Sequence, residues 1–284
     1  MPELPEVEVV TRSLRKTIKN HRIIKITVNN RNLRFKLPEN FEHVLKNKIV
    51  KNIKRKSKYI IFDFDNDLYT ILHLGMSGTL HIPKNKKISN LSFYCNPILP
   101  KKHNHIIINF KKFKLIYNDP RRFGYFKILK NKYDLEEYFK RIGPEPLNKK
   151  FNLLYLKKKI ENRKKNIKNF LLDQKIVAGI GNIYANEILF KSQISPMKSV
   201  KELSQIDLNK IVKFSRLILR NAIKFGGSSI KDFKNTSGIG GSFQSKFKVY
   251  DRENLKCKNN KCKGIIQKRY ISNRSTFICN FCQR

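Results

Sequence analysis

The sequence lacks the features of a membrane or secreted protein. No run of 18 apolar residues occurs, so we expect no transmembrane helix. The first residues have neither the cationic start nor the apolar stretch of a signal peptide, and we expect none. There are only five cysteines, and four of them fall between positions 257 and 282. An odd, clustered count fits a metal site in a reducing compartment better than disulfides, so we expect a cytoplasmic protein in which Cys95 stands alone.

Acidic residues are also scarce. The 21 Asp and Glu face 62 Lys and Arg, which gives a formal charge of +41. This excess predicts binding to polyanions, with an affinity that falls as salt is added. Part of it reflects heavy use of Lys, Asn and Ile throughout the chain, as under AT-biased coding. The positions of the charges are therefore more informative than their total.

Two hydrophobic periodicities divide the chain. After one helical pattern at residues 7–18, residues 22–129 predict short strands, with hairpin turns at 65–67 and 111–114. From Asp134 the period becomes helical, and the first of these helices is predicted to end at Gly143-Pro144. The later helical patterns cover 153–161, 167–173, 183–191 and 207–225. The chain is predicted to be α+β, with an antiparallel β-sandwich followed by helices.

The first six residues, MPELPE, join two carboxylates to an N-terminal proline ahead of a helix. Glu3 and Glu6 lie near the positive end of the helix dipole, and Pro5 suits an early helical position. If Met1 is removed, Pro2 presents a secondary amine whose pKa lies far below that of lysine. Such an amine can attack an aldehyde-like carbon and form an iminium, while the carboxylates move protons. From these residues alone, a simple helix start is the commoner explanation.

The C-terminal cysteines form two knuckles, Cys257-x4-Cys262 and Cys279-x2-Cys282. This spacing predicts one structural, tetrahedral Zn²⁺. The apolar residues between the knuckles predict a two-stranded hairpin that is too small to be stable without the metal. A polar turn over residues 272–276 either places Arg274 against a phosphate or is an ordinary solvated turn.

Residues 178–184, AGIGNIY, do not form a dinucleotide loop, because the third glycine and a preceding strand are missing. We expect Asn182 to cap the following helix, either as a plain cap or so that the free N–H groups bind a phosphate. Lys164, Lys165 and Lys168 on the preceding stretch would add charge.

Two turns carry candidate wedges for a base stack. Met76 lies between glycines in LGMSG, and Phe123 follows Arg121 and Arg122 in NDPRRFG. Apolar wedges beside arginine fill the gap left by an extruded base, although such residues taken singly belong more often to a core. Lys58 and the pair His103 and His105 are, by the same reasoning, more often surface residues.

Taken together, these segments resemble the formamidopyrimidine-DNA glycosylases, bacterial enzymes of base-excision repair. The matching segments follow the family order along essentially the whole chain: PELPEVE, KSKY, HLGMSG, KHNH, DPRRFG, GPEPL, AGIGNIYANE, GGSS-IKDF and the cysteine ribbon. Leu4 makes the opening more similar to these enzymes than to their endonuclease VIII relatives.

The resemblance implies four segments, with DNA held in the cleft between domains. They are a catalytic β-sandwich domain (1–131), a helix-two-turns-helix domain (132–227), a mobile lesion-capping loop (228–248) and a four-cysteine zinc finger (249–284). The protein is expected to act as a monomer on double-stranded DNA that contains oxidised bases or abasic sites.

The resemblance also implies catalytic roles for five residues. Pro2 would be the nucleophile at C1′, Glu3 the acid/base that opens the sugar, and Glu6 its support. Lys58 would contact the substrate and assist base removal, and Arg274 would serve the second elimination.

DNA contacts are implied for a second set of residues. Four would hold the DNA: His103, Arg121, Lys164 and Asn182. Three would fill the space of the extruded nucleotide: Met76, Arg121 and Phe123, with Arg121 facing the orphaned base.

Two departures from the family pattern concern the first knuckle and the capping loop. The knuckle has four intervening residues where two are usual, and Ser242 stands where an aromatic residue is expected.

The resemblance therefore predicts a glycosylase and abasic-site lyase for oxidised purines, chiefly 8-oxoguanine and formamidopyrimidines. The alternatives are an oxidised-pyrimidine enzyme of endonuclease VIII type and a non-catalytic zinc-ribbon protein that binds nucleic acid.

Overall fold

A computed structural model describes residues 1–84, 87–90, 100–161, 163–228 and 241–284. Cys95 and positions 229–240 of the predicted capping loop lie outside these ranges. The chain divides into two compact units, Met1–Arg141 with Phe225–Gln244 and Ile142–Lys224 with Ser245–Arg284. Within the described ranges, no helix has both the length and the apolar character needed to cross a membrane.

The first unit begins with helix α1 (Leu4–Ile18), as the periodicity predicts. Its apolar stripe is fully buried, from Val7 to Ile18. The strands and short helices that follow are β1 (Ile23–Val28), α2 (Phe41–Leu45), β2 (Val50–Lys56), β3 (Tyr59–Phe64), β4 (Tyr69–His73), β5 (Thr79–Lys84), β6 (Lys87–Asn90), β7 (Asn104–Phe110), β8 (Lys114–Asn118), β9 (Tyr125–Leu129) and α3 (Lys132–Phe139).

The strands form two antiparallel sheets. One has the order β1-β7-β8-β5-β6 and the other β2-β3-β4-β9. Inward-facing residues of both sheets, such as Ile60 and Ile106, share one hydrophobic core with α1, which is how sandwiches bury their strands. Both predicted hairpins are present, and Asn66 and Asp67 adopt the positive φ of a tight turn at 59° and 55°.

Helix α3 ends earlier than predicted, at Phe139 rather than at Gly143-Pro144. Its start is fixed by Asn131, whose side chain accepts from the Asp134 N–H at 2.8 Å. The Gly143 N–H, which a longer helix would use internally, donates to Gln174 O at 2.8 Å. Because a tertiary partner takes this N–H, the stop signal in the sequence lies beyond the true helix end.

In the part of the second unit that the structure describes, there are four α-helices and one hairpin. They are α4 (Leu153–Ile160), α5 (Ile167–Leu172), α6 (Asn182–Ser192), α7 (Gln205–Lys224), β10 (Ile266–Ile271) and β11 (Arg274–Cys279). The glycines predicted to close α7, Gly226 and Gly227, have φ values of 78° and 84°, a conformation that glycine adopts at little cost.

The hairpin turn between β10 and β11 is shorter than predicted. Only Ser272 and Asn273 have positive φ, at 48° and 58°, so this is a two-residue turn. Arg274 pairs with Ile271 as the first residue of β11. The α+β prediction, with a sandwich, helices and a C-terminal cysteine hairpin, is confirmed.

Candidate active site

The start of α1 is built from two buried carboxylates. Glu3 and Glu6 are 2% and 1% exposed. The Glu3 N–H donates to Glu6 Oε2 at 2.9 Å, and the two side chains form a reciprocal capping box. Pro2, directly ahead of them, is also buried. The predicted nucleophile and acid/base therefore occupy adjacent, enclosed positions.

Glu6 also binds a segment that is distant in sequence. Its Oε1 accepts from the Ser228 N–H at 2.8 Å and from Ser228 Oγ at 3.0 Å. Gly227 has φ +84°, and a Cβ there would lie 3.1 Å from Glu6 Cγ. The close approach of the two backbones therefore requires glycine at this position.

The charges near the chain start act on its α-amine. Burial lowers the pKa of the Met1 amine, the carboxylates of Glu3 and Glu6 oppose this, and the cations of Lys58 and Arg121 lower it further. Four of the side chains predicted for the site thus lie close enough to influence one amine. An amine with a lowered pKa is more often neutral, which nucleophilic attack requires.

Lys58 lies in the tight turn between β2 and β3, where Ser57 has φ 54°. It is only 6% exposed, so the general expectation of a surface lysine is wrong here. On the neighbouring strand, His73 pairs with Tyr59 and accepts the Gly75 N–H on Nδ1 at 3.1 Å. Burial, then Lys58 and Arg34, lower the pKa of His73 to about 4. His73 is thus neutral near pH 7, and its place in HLGMSG was the only sequence signal for it.

The two candidate wedges are exposed rather than part of the core. Met76 is 37% and Phe123 43% exposed. The guanidinium of Arg121 lies over the Phe123 ring at 4.6 Å from its centroid. A recess of about 670 Å³ is lined by Arg121, Arg122 and Phe123 together with residues 32–34. Apolar and cationic groups are thus presented side by side.

His103 and Lys164 occupy different surroundings. His103 ends a 3₁₀ turn, Lys101–His103, and its carbonyl accepts the Asp119 N–H at 3.0 Å. Burial, then Lys102 and His105, lower the pKa of the His103 ring. Lys164 is exposed, in the segment between α4 and α5 rather than on a helix.

The sequence suggested that Lys168 adds charge at the surface, but the structure shows that it does not. It is fully buried, and its Nζ donates to Ser275 O at 2.8 Å and to Thr276 Oγ1 at 2.7 Å. These hydrogen bonds anchor β11 to α5 directly behind Arg274. Arg274 itself is exposed at the hairpin end.

The prediction that Asn182 is the N-cap of α6 is wrong. Gly181 is the N-cap, with extended φ −126° and ψ −162°, and Asn182 is the first helical residue. Its Nδ2 donates to Ser275 O at 3.0 Å, so the side chain bonds to the hairpin rather than to its own helix. Among the described residues its buried Oδ1 has no hydrogen-bond partner.

The four cysteines converge as their spacing predicts. The Sγ atoms of Cys257, Cys262, Cys279 and Cys282 all lie within 4.8 Å of one another. The N–H groups of Asn259 and Gly264 point to Cys257 Sγ and Cys262 Sγ, each at 3.4 Å. Such N–H donors support thiolates that ligate a metal. The donor set and its geometry therefore fit a tetrahedral metal ion, and the longer first knuckle still closes.

Glu187, on α6, holds the segment ahead of the ribbon. It is 4% exposed, and it accepts three consecutive N–H groups. Oε1 accepts those of Val249 at 2.9 Å and Tyr250 at 2.8 Å, and the Lys248 N–H is shared between Oε1 at 3.1 Å and Oε2 at 3.0 Å. Burial raises the pKa of Glu187 and these hydrogen bonds oppose the rise. No sequence pattern assigned it a role, although it lies in AGIGNIYANE.

Ser242, the unusual residue of the predicted capping loop, is exposed, and its N–H donates to Phe225 O at 3.0 Å. Positions 238–240 of that loop lie outside the described residues.

The chain is similar in sequence to a known family over its full length. Residues 1–126 match the formamidopyrimidine-DNA glycosylase N-terminal domain, and residues 142–234 match the H2TH domain of the same enzymes. Formamidopyrimidine-DNA glycosylases of Wolbachia pipientis subsp. Culex pipiens (strain wPip) and Dinoroseobacter shibae are 41% and 38% identical, over 100% of both chains in each pair.

Two solved structures are similar over the same extent. The complex between the Lactococcus lactis Fpg and an abasic-site-containing DNA is 33% identical, with a TM-score of 0.87 over 99% of both chains. The complex of its G226P mutant with a Fapy-dG-containing DNA is also 33% identical, with a TM-score of 0.87 over 100% of both chains.

These matches define the class: the protein is a DNA glycosylase of base-excision repair, not a non-catalytic binding protein. The chain belongs to the formamidopyrimidine-DNA glycosylase family.

Proposed function

We propose that the protein excises oxidised purines, chiefly 8-oxoguanine and formamidopyrimidines, from duplex DNA and then cleaves the strand as an abasic-site lyase. The observation that carries this proposal is the burial of Pro2, Glu3, Glu6 and Lys58 around the chain start, where Glu3, Glu6, Lys58 and Arg121 all influence the Met1 amine. The Lactococcus lactis relatives, crystallised with abasic-site and Fapy-dG DNA, support the substrate class.

Base removal begins once Met1 has been cleaved and Pro2 carries the free amine. The amine attacks C1′ of the extruded nucleotide, the bond from C1′ to the base breaks, and the base leaves with the bonding electrons and takes up a proton. Lys58, buried beside the site, is the proposed donor of that proton. Glu3, also buried, protonates the ring oxygen as the sugar opens, and an iminium then joins C1′ to the Pro2 nitrogen.

Strand cleavage follows because the iminium withdraws electrons from the sugar. Loss of a C2′ proton releases the 3′ phosphate in a β-elimination. A second proton loss releases the 5′ phosphate in a δ-elimination, for which Arg274 at the exposed hairpin end is proposed to offset the negative charge of the departing phosphate. Glu6 supports these steps by holding Glu3 through its backbone N–H.

Binding is proposed to use both units. His103, Arg121, Lys164 and Asn182 contact the DNA, mostly at phosphates, which supply affinity rather than sequence preference. Met76, Arg121 and Phe123 fill the space of the extruded nucleotide, and the exposure of both apolar residues supports this role. Extrusion costs a few kcal/mol and less at a lesion.

The four-cysteine cluster is proposed to hold one structural Zn²⁺. The ion would supply the folding energy of a hairpin that is too small to be stable alone, and no chemical step uses it. The domain bounds expected from the sequence, a monomeric state and a cytoplasmic location remain predictions.

An incision assay over a small lesion panel tests the function. The same duplex is prepared with 8-oxoguanine, with a formamidopyrimidine or with thymine glycol, and strand scission by the purified protein is measured under single-turnover conditions. Faster cleavage of the purine lesions is expected. Preferential cleavage of thymine glycol would favour an endonuclease VIII type of enzyme, and binding without scission would refute the proposed chemistry.

A further inference from the structure

A buried carboxylate lies beneath the two turns that carry Met76 and Phe123. Asp119 directly follows β8 and is fully buried. None of the ion pairs formed by the described residues involves Asp119. A buried charge without a counter-ion is costly unless hydrogen bonds satisfy it. The donors that satisfy Asp119 therefore indicate what it does.

The two oxygens of Asp119 serve both turns at once. Oδ1 accepts the hydroxyl of Ser77, the neighbour of Met76, and lies 3.3 Å from the Arg121 N–H. Oδ2 accepts the Gly124 N–H at 2.9 Å and Tyr117 OH at 2.9 Å. One side chain thus joins the Met76 turn to both ends of the Arg121–Phe123 turn.

The backbones of the two turns are in close contact, with no room for a side chain at either glycine. A Cβ at Gly75 would overlap the backbone of Phe123, and one at Gly124 would lie 2.7 Å from His73 O. The Arg121 N–H also lies 3.2 Å from Ser77 Oγ, which adds a direct link. The two turns therefore form one rigid unit. Because they are already ordered in the free protein, DNA binding does not have to supply the free energy of ordering them.

We propose that Asp119 is a positioning residue that fixes Met76, Arg121 and Phe123 as a single preformed wedge. This inference rests on the proposed function, in which these three residues fill the space of an extruded nucleotide. Asp119 touches neither DNA nor the reacting atoms. It acts through the turns, and its effect is confined to substrates that must be opened.

The geometry predicts that even an isosteric change is damaging. In Asp119→Asn, one carboxylate oxygen becomes an NH₂ donor. If that group faces Gly124, the Gly124 N–H and the Tyr117 hydroxyl lose their acceptor. If it faces Ser77, the Ser77 hydroxyl loses its acceptor, and the Arg121 N–H keeps only Ser77 Oγ. Either orientation leaves a buried donor without its acceptor, and asparagine therefore cannot reproduce the hub.

The experiment compares two substrates in the full-length protein. One is duplex DNA with 8-oxoguanine, which requires extrusion and wedge insertion. The other is a single-stranded oligonucleotide of the same sequence with a preformed abasic site, which requires neither. Single-turnover rates are measured for the wild type, Asp119→Asn and Ser77→Ala. The control is Ser215→Ala, because Ser215 is also a buried serine, and its Oγ has no partner among the described residues.

We expect Asp119→Asn to slow cleavage of the lesion duplex by about 5- to 100-fold, the kinetic equivalent of one unpaired buried polar group. Ser77→Ala should slow it by about 3- to 10-fold, since the hydroxyl's bonds to Asp119 and from the Arg121 N–H are lost, while that N–H keeps Asp119 Oδ1. Cleavage of the single strand should change less than about twofold, and Ser215→Ala should match the wild type on both substrates. A 2-aminopurine beside the lesion, which brightens on unstacking, should respond more slowly in both hub variants.

The deciding quantity is the ratio of the rate loss on the lesion duplex to the rate loss on the single strand. Equal losses on duplex and single strand would overturn the inference, because they would mean general damage to the fold. An undiminished rate on the duplex would also overturn it. If Asp119→Asn fails to fold, Ser77→Ala carries the test alone. A wild type inactive on both substrates would contradict the proposed function itself, whereas an active wild type with an unchanged ratio contradicts only the role of Asp119.

Discussion

The N-terminal site and the cysteine ribbon are each stabilised internally, but by different kinds of interaction. At the start of α1, two buried carboxylates accept hydrogen bonds from their own helix and from Ser228. In the ribbon, four thiols within 4.8 Å of one another face a common centre, and thiolates brought this close need a cation between them. The first site is therefore complete as a protein structure, whereas the second is proposed to depend on a metal.

The two regions also share a device, a buried glutamate that holds a distant segment. Glu6 holds Ser228, and Glu187 holds residues 248–250. The arrangements differ in detail. Glu6 uses its two oxygens for separate partners. At Glu187 all three N–H donors reach Oε1, and only the Lys248 N–H is also shared with Oε2. The comparison predicts different responses to the same substitution.

Removal of the metal should have the largest effect. Cys279→Ser, or treatment with a strong chelator, should unfold the ribbon and lower duplex incision at least on the order of 100-fold. Hydrogen exchange of the α1 amides should stay unchanged, because the first site does not use the metal. Metal analysis should find one zinc per chain in the wild type. A metal-free protein with full activity would remove the distinction between the two regions.

Replacement of Glu6 should have the next largest effect. In Glu6→Gln, only one oxygen remains for donors on two sides, so one N–H is left unpaired, and we expect a loss of about 1–3 kcal/mol in unfolding free energy. Glu187→Gln should cost less than about 1 kcal/mol, because an amide oxygen in place of Oε1 still reaches all three N–H groups and only the Lys248 N–H loses a second acceptor. Urea denaturation of both variants measures the difference. An equal loss of unfolding free energy in the two variants would contradict the different use of the carboxylate oxygens at Glu6 and Glu187.

The pH dependence of the first chemical step should show a smaller effect. Attack requires the neutral amine. In the uncleaved chain, burial, Lys58 and Arg121 lower the pKa of the Met1 amine and Glu3 and Glu6 oppose this, with a net lowering, and we expect the same surroundings to act on the Pro2 amine. The acid limb of the rate should therefore lie below the ordinary α-amine pKa of about 8. Lys58→Gln removes a cation, which raises the pKa and moves the limb to higher pH by less than about one unit. A limb that stays in place would contradict the influence of Lys58.

The smallest expected effect concerns two arginines that share Glu8. The Arg12 side chain is 58% exposed and the Arg55 side chain 9% exposed. Arg12→Gln should change unfolding free energy by less than about 0.5 kcal/mol, as exposed pairs usually do. Arg55→Gln should cost more, because Arg55 also donates to Ser57 O at 3.0 Å beside Lys58. Thermal unfolding of the two variants checks the order, and a reversed order would contradict it.

Much of the fold could be predicted because period and turn chemistry are local. The stripe of α1, both hairpins and the glycines after α7 follow from residues within one or two turns of each other. The end of α3 and the cap of α6 could not be predicted, because Gly143 and Asn182 form their hydrogen bonds with Gln174 and Ser275. Long-range partners leave no trace in a local pattern.

The candidate site followed the same rule. Pro2, Glu3 and the cysteines could be proposed from chemistry that their residue types and spacing carry. Asp119 and His73 could not, because an aspartate in a turn and a histidine at a strand end are ordinary until burial and partners are known. Their roles depend on contacts across the sheets, such as those of Asp119 with Ser77 and Gly124.

The central claim is that the Pro2 amine becomes bonded to the DNA, and the location of the covalent bond tests it most directly. The reaction with an 8-oxoguanine duplex is quenched with borohydride, which reduces the iminium to a stable amine, and the trapped protein is digested with nuclease and trypsin. We expect mass spectrometry to find the sugar remnant on the N-terminal peptide from Pro2 to Arg12, without Met1. An absent adduct, or one on a lysine such as Lys58, would contradict it.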